Sequence, residues 1–364
     1  MRITFVMASV DLSGGNRVIA IYAERLQRRG HQVTIVARPR KPVTLRHKLH
    51  DWLHGYPIPQ NVPYGPSHFD NLPGVEFRKL KKHQPIAADD VPDADVVIAT
   101  WWETAEWVAA YPPSKGAKAY FIQHYETHYP QPVDRVEATW RLPLHKIIIA
   151  QWLADIARDK YHDADFSMVP NAVDVEQFNA PPRGKQATPT VGVMYSIAEF
   201  KGCDVSLKAF ELAKQRISNL KLVTFGNREP FPRLPLPRGA EHTVRPPQDQ
   251  IKDIYARCDA WLFGSRSEGF GLPLLEAMAC RTPVIATPTG AAPELTAPGG
   301  GVLVPMEDPA AMAGEIERIV QLPDDQWRVM SDIAYETATK YTWDDATARF
   351  EAALGRAMAK AESR

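Results

Sequence analysis

The chain has 364 residues, with 43 Lys plus Arg set against 43 Asp plus Glu. That length leaves room for two domains of ordinary size. The balanced charge supplies no long-range field of the kind that draws a protein to nucleic acid. The three cysteines, Cys203, Cys258 and Cys280, lie in apolar stretches of the second half. They read as reduced core thiols of a cytoplasmic protein rather than a disulfide framework, and their spacing is not that of metal ligands. The first apolar run is interrupted too soon, at Asp11, to read as a signal peptide, and no run approaches the length of a membrane span.

In chain order, residues 3–8 read as a strand and residues 9–15 as a loop ending in Gly14-Gly15. Residues 16–29 have helical spacing, with Val18, Ile19, Tyr22 and Leu26 on one face, and Gly30 as the C-terminal stop before a strand at 32–37. This βαβ opening predicts a parallel sheet. The first loop lacks Gly-x-Gly-x-x-Gly, which argues against an NAD-type oxidoreductase. Arg17 falls in the first helical turn, where a cation opposes the helix dipole; a nearby anion or plain solvation both account for it.

Residues 39–74 are the least regular. A short helix is expected over 44–54, carrying Arg46, His47, Lys48, His50, Trp52 and His54, followed by a proline-rich loop over 56–66. The three histidines have no acid beside them except Asp51, so metal binding is not expected. A basic, aromatic helix of this kind suits peripheral contact with a membrane surface.

Further strands are expected at 95–100, 119–123 and 146–150, with a helix over 152–161. Trp101-Trp102-Glu103 and His124-Tyr125-Glu126 stand at the carboxyl ends of their strands, where α/β ligand sites occur. That position turns His124 from a satisfied surface histidine into a candidate site residue, with Glu126 a weaker one. Asp93-Ala94-Asp95 and Asp163-Ala164-Asp165 read as turns leading into strands, not as metal sites.

Residues 181–189 are polar and proline-bearing and read as a linker. A second α/β unit follows, with strands at 190–195, 220–226, 241–247 and 260–263 and helices at 204–216 and 251–258. A surface loop is expected over 230–237, another helix from 309, and a helical tail over 343–360 with Phe350 and Leu354 on its apolar side.

The most informative stretch is residues 265–287. Gly269 and Gly271 flank Phe270, so the backbone can turn sharply and approach a ligand; Leu272-Pro273 then opens a helix, and residues 284–286 form a buried strand. Such a turn aims free N–H groups and the positive helix end at phosphate or sugar hydroxyls. Two carboxylates, Glu268 and Glu276, bracket it with seven residues between them.

This segment resembles the Glu-x7-Glu signature of the retaining glycosyltransferases of family 4 (glycosyl transferases group 1). The likeness continues through Thr289-Gly290 and Pro293-Glu294-Leu295. Val169-Pro170-Asn171-Ala172-Val173-Asp174, with Phe178, is similar to the family's Pro-Asn-Gly-Val-Asp…Phe pattern, Ala172 replacing the glycine. The resemblance implies an α/β protein of GT-B fold, two Rossmann-like doubly wound domains facing across a cleft. Residues 1–178 would be the acceptor-side domain and 190–342 the nucleotide-sugar domain, with 343–364 returning to the first. It implies a hexosyltransferase moving sugar from a nucleotide-diphosphate donor to a glycan or lipid-linked acceptor in cell-envelope polysaccharide synthesis. The setting would be the cytoplasm, peripheral at the inner membrane face, with no nucleic-acid partner and no cofactor or metal required.

By the same resemblance, Glu268, His124 and Lys201 form the catalytic group. Glu268 and the amides of Gly269, Phe270, Gly271 and Leu272 would hold the sugar, and Glu276 the ribose. Lys201 would face the diphosphate, Gly14 and Gly15 would approach the donor phosphate and acceptor, and Arg245 would lie near the base. One departure stands out: the family's arginine, five positions before Lys201, is Ser196 here. Arg17, Arg228, Arg245 and Arg266 are the candidates to replace its charge. The rival readings are a sugar-nucleotide epimerase of the same fold, or a catalytically silent subunit that binds a glycan or partner.

Overall fold

The computed structural model describes residues 1–54, 58, 62–127 and 130–363, apart from the side chain of His47. The chain divides into two compact units. The first comprises Met1–Ile149, Leu153–Val169 and Thr347–Arg364; the second comprises Ala150–Trp152 and Pro170–Ala346.

The first unit is built on β1 (Arg2–Met7), β2 (Gln32–Ala37), β3 (Glu76–Lys79), β4 (Val96–Ala99), β5 (Ala117–Ile122), β6 (His145–Ile148) and β7 (Phe166–Met168). They form one sheet in the order β3-β2-β1-β4-β5-β6-β7. Every pairing is parallel, as in the β1–β2 register Ile3↔Val33 and the β1–β4 register Ile3↔Val96. β1 and β2 are buried on both faces from their second residue onward, which is why they read as continuous apolar runs rather than alternating ones. β3 escapes sequence reading for the opposite reason: it is a polar, largely exposed edge strand.

The helix after β1 spans Gly14–Arg28 and buries Val18, Ile19, Tyr22 and Leu26. It starts two residues before the expected position. Glycine propensity matters little in a first turn whose N–H groups have no intrahelical partner, and the approach is pinned by Asp11, whose carboxylate accepts the Ser13 N–H at 2.8 Å and the Asn16 amide at 2.7 Å. The expected helix over 152–161 is α-helical only at Gln151–Asp155 and continues as the wider π-helical turn Ile156–Lys160. The helix expected over 44–54 spans Leu45–Leu53. The loop expected over 56–66 lies partly outside the described residues.

The second unit repeats the plan with β8 (Thr190–Tyr195), β9 (Lys221–Gly226), β10 (Glu241–Val244), β11 (Ala260–Phe263), β12 (Val284–Ala286) and β13 (Gly301–Leu303). Its sheet runs β10-β9-β8-β11-β12-β13, again all parallel. Its core joins Leu207, Phe210, Leu262, Ile316 and Trp327. All three cysteines are buried and free.

Residues 181–189 are not an unattached linker. The Arg183 guanidinium donates to the Cys258 carbonyl at 2.6 Å and the Thr282 hydroxyl at 2.8 Å, and the Gln186 N–H donates to Asp259 at 2.7 Å. Buried Asp259 also accepts the Thr190 N–H, so this polar stretch is tied to the second unit before β8 begins.

The last helix, Trp343–Glu362, packs within the first unit through Phe350, which is fully buried. Its ring stacks on Tyr22 at 4.3 Å, meets Phe121 edge-on at 5.1 Å and lies 6.2 Å from Phe5. Phe350→Ala should therefore destabilise the first unit by about 3–5 kcal/mol, the usual range for deleting a buried ring. Urea unfolding followed by far-UV circular dichroism measures this; a loss below about 1 kcal/mol would mean that the tail helix does not hold the unit together.

Candidate functional site

Each sheet reverses its winding direction at one place, between β1 and β4 in the first unit and between β8 and β11 in the second. In open α/β sheets, ligands bind outside the carboxyl ends of the strands at such a switch point. In the second unit the two loops at that point carry Ser196 and Lys201 after β8, and Ser265 to Leu272 after β11.

These loops are pressed together. Gly202 has φ +54, and a Cβ there would lie 1.8 Å from the Gly264 carbonyl oxygen, so only glycine fits. The N–H of Arg266 donates to the Phe200 carbonyl at 2.8 Å. This contact carries Lys201 to Glu268: Nζ lies 2.8 Å from Oε1, the same oxygen that accepts the Ser265 hydroxyl at 2.8 Å. The side chains of Lys201 and Glu268 are 22% and 9% exposed, so the pair is sheltered but reachable.

The glycine turn follows directly. Its carbonyls face the protein: Gly269 O accepts the Trp152 indole N–H at 2.9 Å and Phe270 O accepts the Ala291 N–H at 2.8 Å. Its N–H groups do not. Among the described residues, those of Gly269, Phe270, Gly271 and Leu272 donate to no protein acceptor. Gly271, at φ +100, caps the helix Leu272–Ala279, so these donors stand at its positive end. Glu276 lies further along this helix, buried, with Oε2 accepting the Tyr255 hydroxyl at 3.0 Å. Tyr255 is itself set edge-on against Trp261 at 4.5 Å and Phe225 at 5.7 Å.

The four arginines named for the missing charge separate clearly. Arg266 is excluded: its guanidinium is saturated by Asp204 at 2.9 and 2.7 Å, by Glu307 and by the Glu199 carbonyl. Those carboxylates push its pKa up. Arg245 is exposed, with φ +48, its Nε donating to the Asn227 carbonyl at 2.9 Å. Arg17 belongs to the helix Gly14–Arg28 of the first unit. Arg228 is half-buried at the exit of β9, and its side chain makes no hydrogen bond or ion pair among the described residues. Because Tyr195 and Gly226 pair in register, Ser196 and Asn227-Arg228 leave adjacent strands side by side. The His242 ring holds the Arg228 carbonyl at 2.9 Å.

In the first unit, Gly14 and Gly15 are exposed at the start of their helix, and Gly15 O accepts the Gln123 amide at 3.2 Å. That bond links the loop after β1 to the exit of β5. There His124 is half-buried and accepts the Glu126 N–H at Nδ1, 2.9 Å away. Glu126 is buried and accepts the backbone N–H of Trp102 at 3.0 Å. Glu103 pairs with Arg38.

The aspartate triplets carry no grouped ligands. Asp93 pairs with Lys115, Asp95 with Arg2, Asp163 with Lys146 and Asp165 with Lys360. His50 and His54 stack at 4.2 Å instead of converging on a point. Among the described residues, no cluster of three His, Cys, Asp or Glu has metal-binding geometry, and no helix is long and apolar enough to cross a membrane. The roles of Tyr255 and Trp152 and the Gly202–Gly264 contact are not legible in the sequence, because each acts on a residue far away along the chain. Ser265, which opens the 265–287 stretch, reaches Glu268 only three residues on.

Comparison with known proteins agrees with this arrangement. Residues 12–177 match the model of Glycosyltransferase Family 4, and residues 175–337 match that of Glycosyl transferases group 1. A D-inositol 3-phosphate glycosyltransferase of Streptomyces bingchenggensis is 39% identical over 107 residues, covering 29% of this chain and 23% of that protein. One from Nocardiopsis dassonvillei is 30% identical over 208 residues, 50% of this chain and 48% of that protein. The O-antigen chain mannosyltransferase B of Escherichia coli is 31% identical over 102 residues, 28% of this chain and 26% of that protein. The matched stretches thus span from about a quarter to about half the length of these curated relatives. Among solved structures, sucrose-phosphate synthase of Thermosynechococcus elongatus superposes with TM-score 0.73 at 16% identity, covering 99% of this chain and 100% of that one. Anabaena HepE in complex with UDP superposes with TM-score 0.72 at 17% identity, covering 98% and 100%. With both units accounted for, one by each family model, and the whole chain following the fold, this protein belongs to the glycosyltransferases of family 4 and group 1, on the GT-B fold.

Proposed function

We propose that the chain transfers a hexosyl unit from a nucleotide-diphosphate sugar to a glycan or lipid-linked acceptor, with retention at the anomeric carbon, in cell-envelope polysaccharide synthesis. The observation that carries this reading is the row of four undonated N–H groups, Gly269 to Leu272, beside the Lys201–Glu268 pair and ahead of buried Glu276. Such a row suits the oxygens of a sugar diphosphate. The UDP complex of HepE supports a nucleotide donor, and the name of the E. coli relative supports the envelope setting.

In this mechanism Glu276 accepts the paired ribose hydroxyls, an acceptor-only task suited to an ionised carboxylate, with Tyr255 fixing its orientation. Lys201 and Arg228 offset the charge that grows on the departing diphosphate, Arg228 taking the place that Ser196 leaves empty of charge. The cations come from side chains, so the reaction needs no cofactor or metal. Glu268 holds the sugar. Its Oε1 already receives two hydrogen bonds, which weakens it as a nucleophile and supports a front-face route. On that route the acceptor oxygen bonds to the anomeric carbon on the face from which the phosphate oxygen leaves, and that phosphate takes the acceptor's proton. His124, Gly14 and Gly15 of the first unit serve the acceptor and sugar.

A thermal-shift panel of UDP, GDP, dTDP, ADP and CMP tests this. One nucleoside diphosphate is expected to raise the melting temperature by several degrees at about a hundred times its Kd. Glu276→Ala should abolish the shift. Arg228→Ala should weaken affinity about tenfold to a hundredfold, as loss of a charged hydrogen bond does, and Arg266→Ala should leave it within about twofold. No shift with any nucleotide would favour the silent-subunit reading; equal effects of Arg228→Ala and Arg266→Ala would refute the assignment of Arg228.

The acceptor side extends to a membrane surface in this proposal. The helix Leu45–Leu53 exposes Leu45 (84%), Leu49 (57%), Trp52 (62%) and Leu53 (64%) along one stripe. In sequence, Arg40 and Lys41 precede this helix and Arg46 and Lys48 lie within it, with Asp51 as its single acid. An apolar stripe on a basic segment matches an anionic lipid interface. Sedimentation with phosphatidylserine vesicles should retain the protein, and Leu49→Glu with Trp52→Glu should cut binding at least about tenfold. Equal binding to neutral vesicles, or none to anionic ones, would count against membrane docking.

A further inference from the structure

At the exit of β5 the chain turns through Gln123, His124, Tyr125 and Glu126. Glu126 has φ +62, a left-handed conformation that a Cβ disfavours. What holds it there is its own side chain. The residue is 2% exposed, and its Oε2 accepts the backbone N–H of Trp102, the first residue of the helix Trp102–Ala110, at 3.0 Å. Burial pushes this carboxyl well above the usual carboxylate range, while the Trp102 N–H pulls the other way. In either protonation state a carboxyl group keeps an acceptor oxygen for that N–H. The buried anchor and the left-handed backbone together aim the Glu126 N–H back at His124 Nδ1, 2.9 Å away. A ring nitrogen that accepts a hydrogen bond carries no proton, so the single proton of the neutral imidazole sits on Nε2.

We propose that Glu126 is a positioning residue that locks His124 as its Nε2–H tautomer, so that the imidazole meets ligand as a hydrogen-bond donor and Nδ1 is withheld from proton transfer. Its consequence for turnover rests on the reading of His124 as a ligand contact in the proposed transferase. The tautomer does not. A donor of this kind suits a sugar hydroxyl or phosphate oxygen. It also makes His124 a holder of substrate through Nε2, consistent with a route in which the departing phosphate, not a histidine, takes the acceptor's proton.

Long-range 1H–15N spectra of the full chain, labelled at histidine nitrogens, read each ring nitrogen as protonated or bare. His124, assigned by the signal lost in His124→Gln, is expected to show a bare Nδ1 and a protonated Nε2. Glu126→Gln keeps the backbone N–H and an acceptor for Trp102, and should retain that pattern. Glu126→Ala removes the anchor and should give mixed tautomers, with kcat lowered about tenfold and donor KM changed less. If circular dichroism shows that variant unfolded, Glu126→Ser takes its place: it leaves a polar group in the pocket, is too short to reach the Trp102 N–H, and keeps a Cβ that disfavours φ +62. A protonated Nδ1 in the wild type, or an anchor-less variant that keeps the wild-type pattern, overturns the proposal. A tautomer change in a protein that turns over no sugar nucleotide would leave the Glu126 assignment standing and remove the transferase reading instead.

Discussion

At the switch point of the second sheet, two loops pass so close that position 202 has no room for a side chain. A Cβ there would fall 1.8 Å from the carbonyl oxygen of Gly264. Everything that gives the site its geometry follows from this approach. It brings the loop after β8 against the loop after β11, and so sets Lys201 on Glu268 at 2.8 Å. It starts the helix Cys203–Arg216 from a left-handed glycine and leaves the turn at residues 269–272 with carbonyls inward and N–H groups undonated. A sheltered ion pair is a weak source of stability, because desolvation offsets most of the attraction. The value of Lys201–Glu268 is positional: a cation and a carboxylate are held beside free amide donors before any ligand arrives, so little reorganisation is left to the reaction.

How much of this the sequence reveals depends on the range of the interaction. The buried strands are legible because parallel sheets covered on both faces demand continuous apolar runs, as in Ile3 to Met7 and Val191 to Tyr195. The glycine turn and its two glutamates are legible because one short segment carries all of them. Edge strand β3 is not, since Glu76 to Lys79 bury too little to leave a pattern. Nor are Tyr255, which orients Glu276 across twenty-one positions, or the Gly202–Gly264 contact across sixty-two, because nothing local in sequence marks either partner. The stretch 181–189 misleads for a related reason. Its polarity suggests solvent, yet Arg183 and Gln186 use that polarity to satisfy buried carbonyls and Asp259.

Ser196 shows how register turns a sequence puzzle into a spatial one. Along the chain, Arg228 is thirty-two residues from Ser196, and nothing distinguishes it from Arg245 or Arg266. In the sheet, Tyr195 and Gly226 are paired neighbours, so the loops that follow them diverge from the same point. A parallel pair delivers both carboxyl ends to one edge, and side chains one or two residues beyond each strand can therefore exchange duties. Arg266 lies in the loop that carries Glu268 but is spent on Asp204 and Glu307, while Arg228 has the place and retains its donors. The proposed replacement is thus an argument about register and occupancy, and composition has no part in it.

The first unit shows the same logic on its own sheet. Strain at Glu126 is unusual for a residue with a Cβ, and it persists because a buried carboxyl is fastened to the start of the helix after β4. β4 and β5 are adjacent, so the anchor and the strained residue lie at neighbouring strand exits. The energy held in that backbone is returned as orientation of His124, whose Nδ1 receives the displaced N–H. Gln123, one residue earlier, ties the same exit to Gly15 and hence to the loop after β1. Three strand exits are thereby connected through backbone groups around one imidazole. A histidine held this way has a fixed direction and a fixed proton, which is what distinguishes a built contact from a solvated surface side chain.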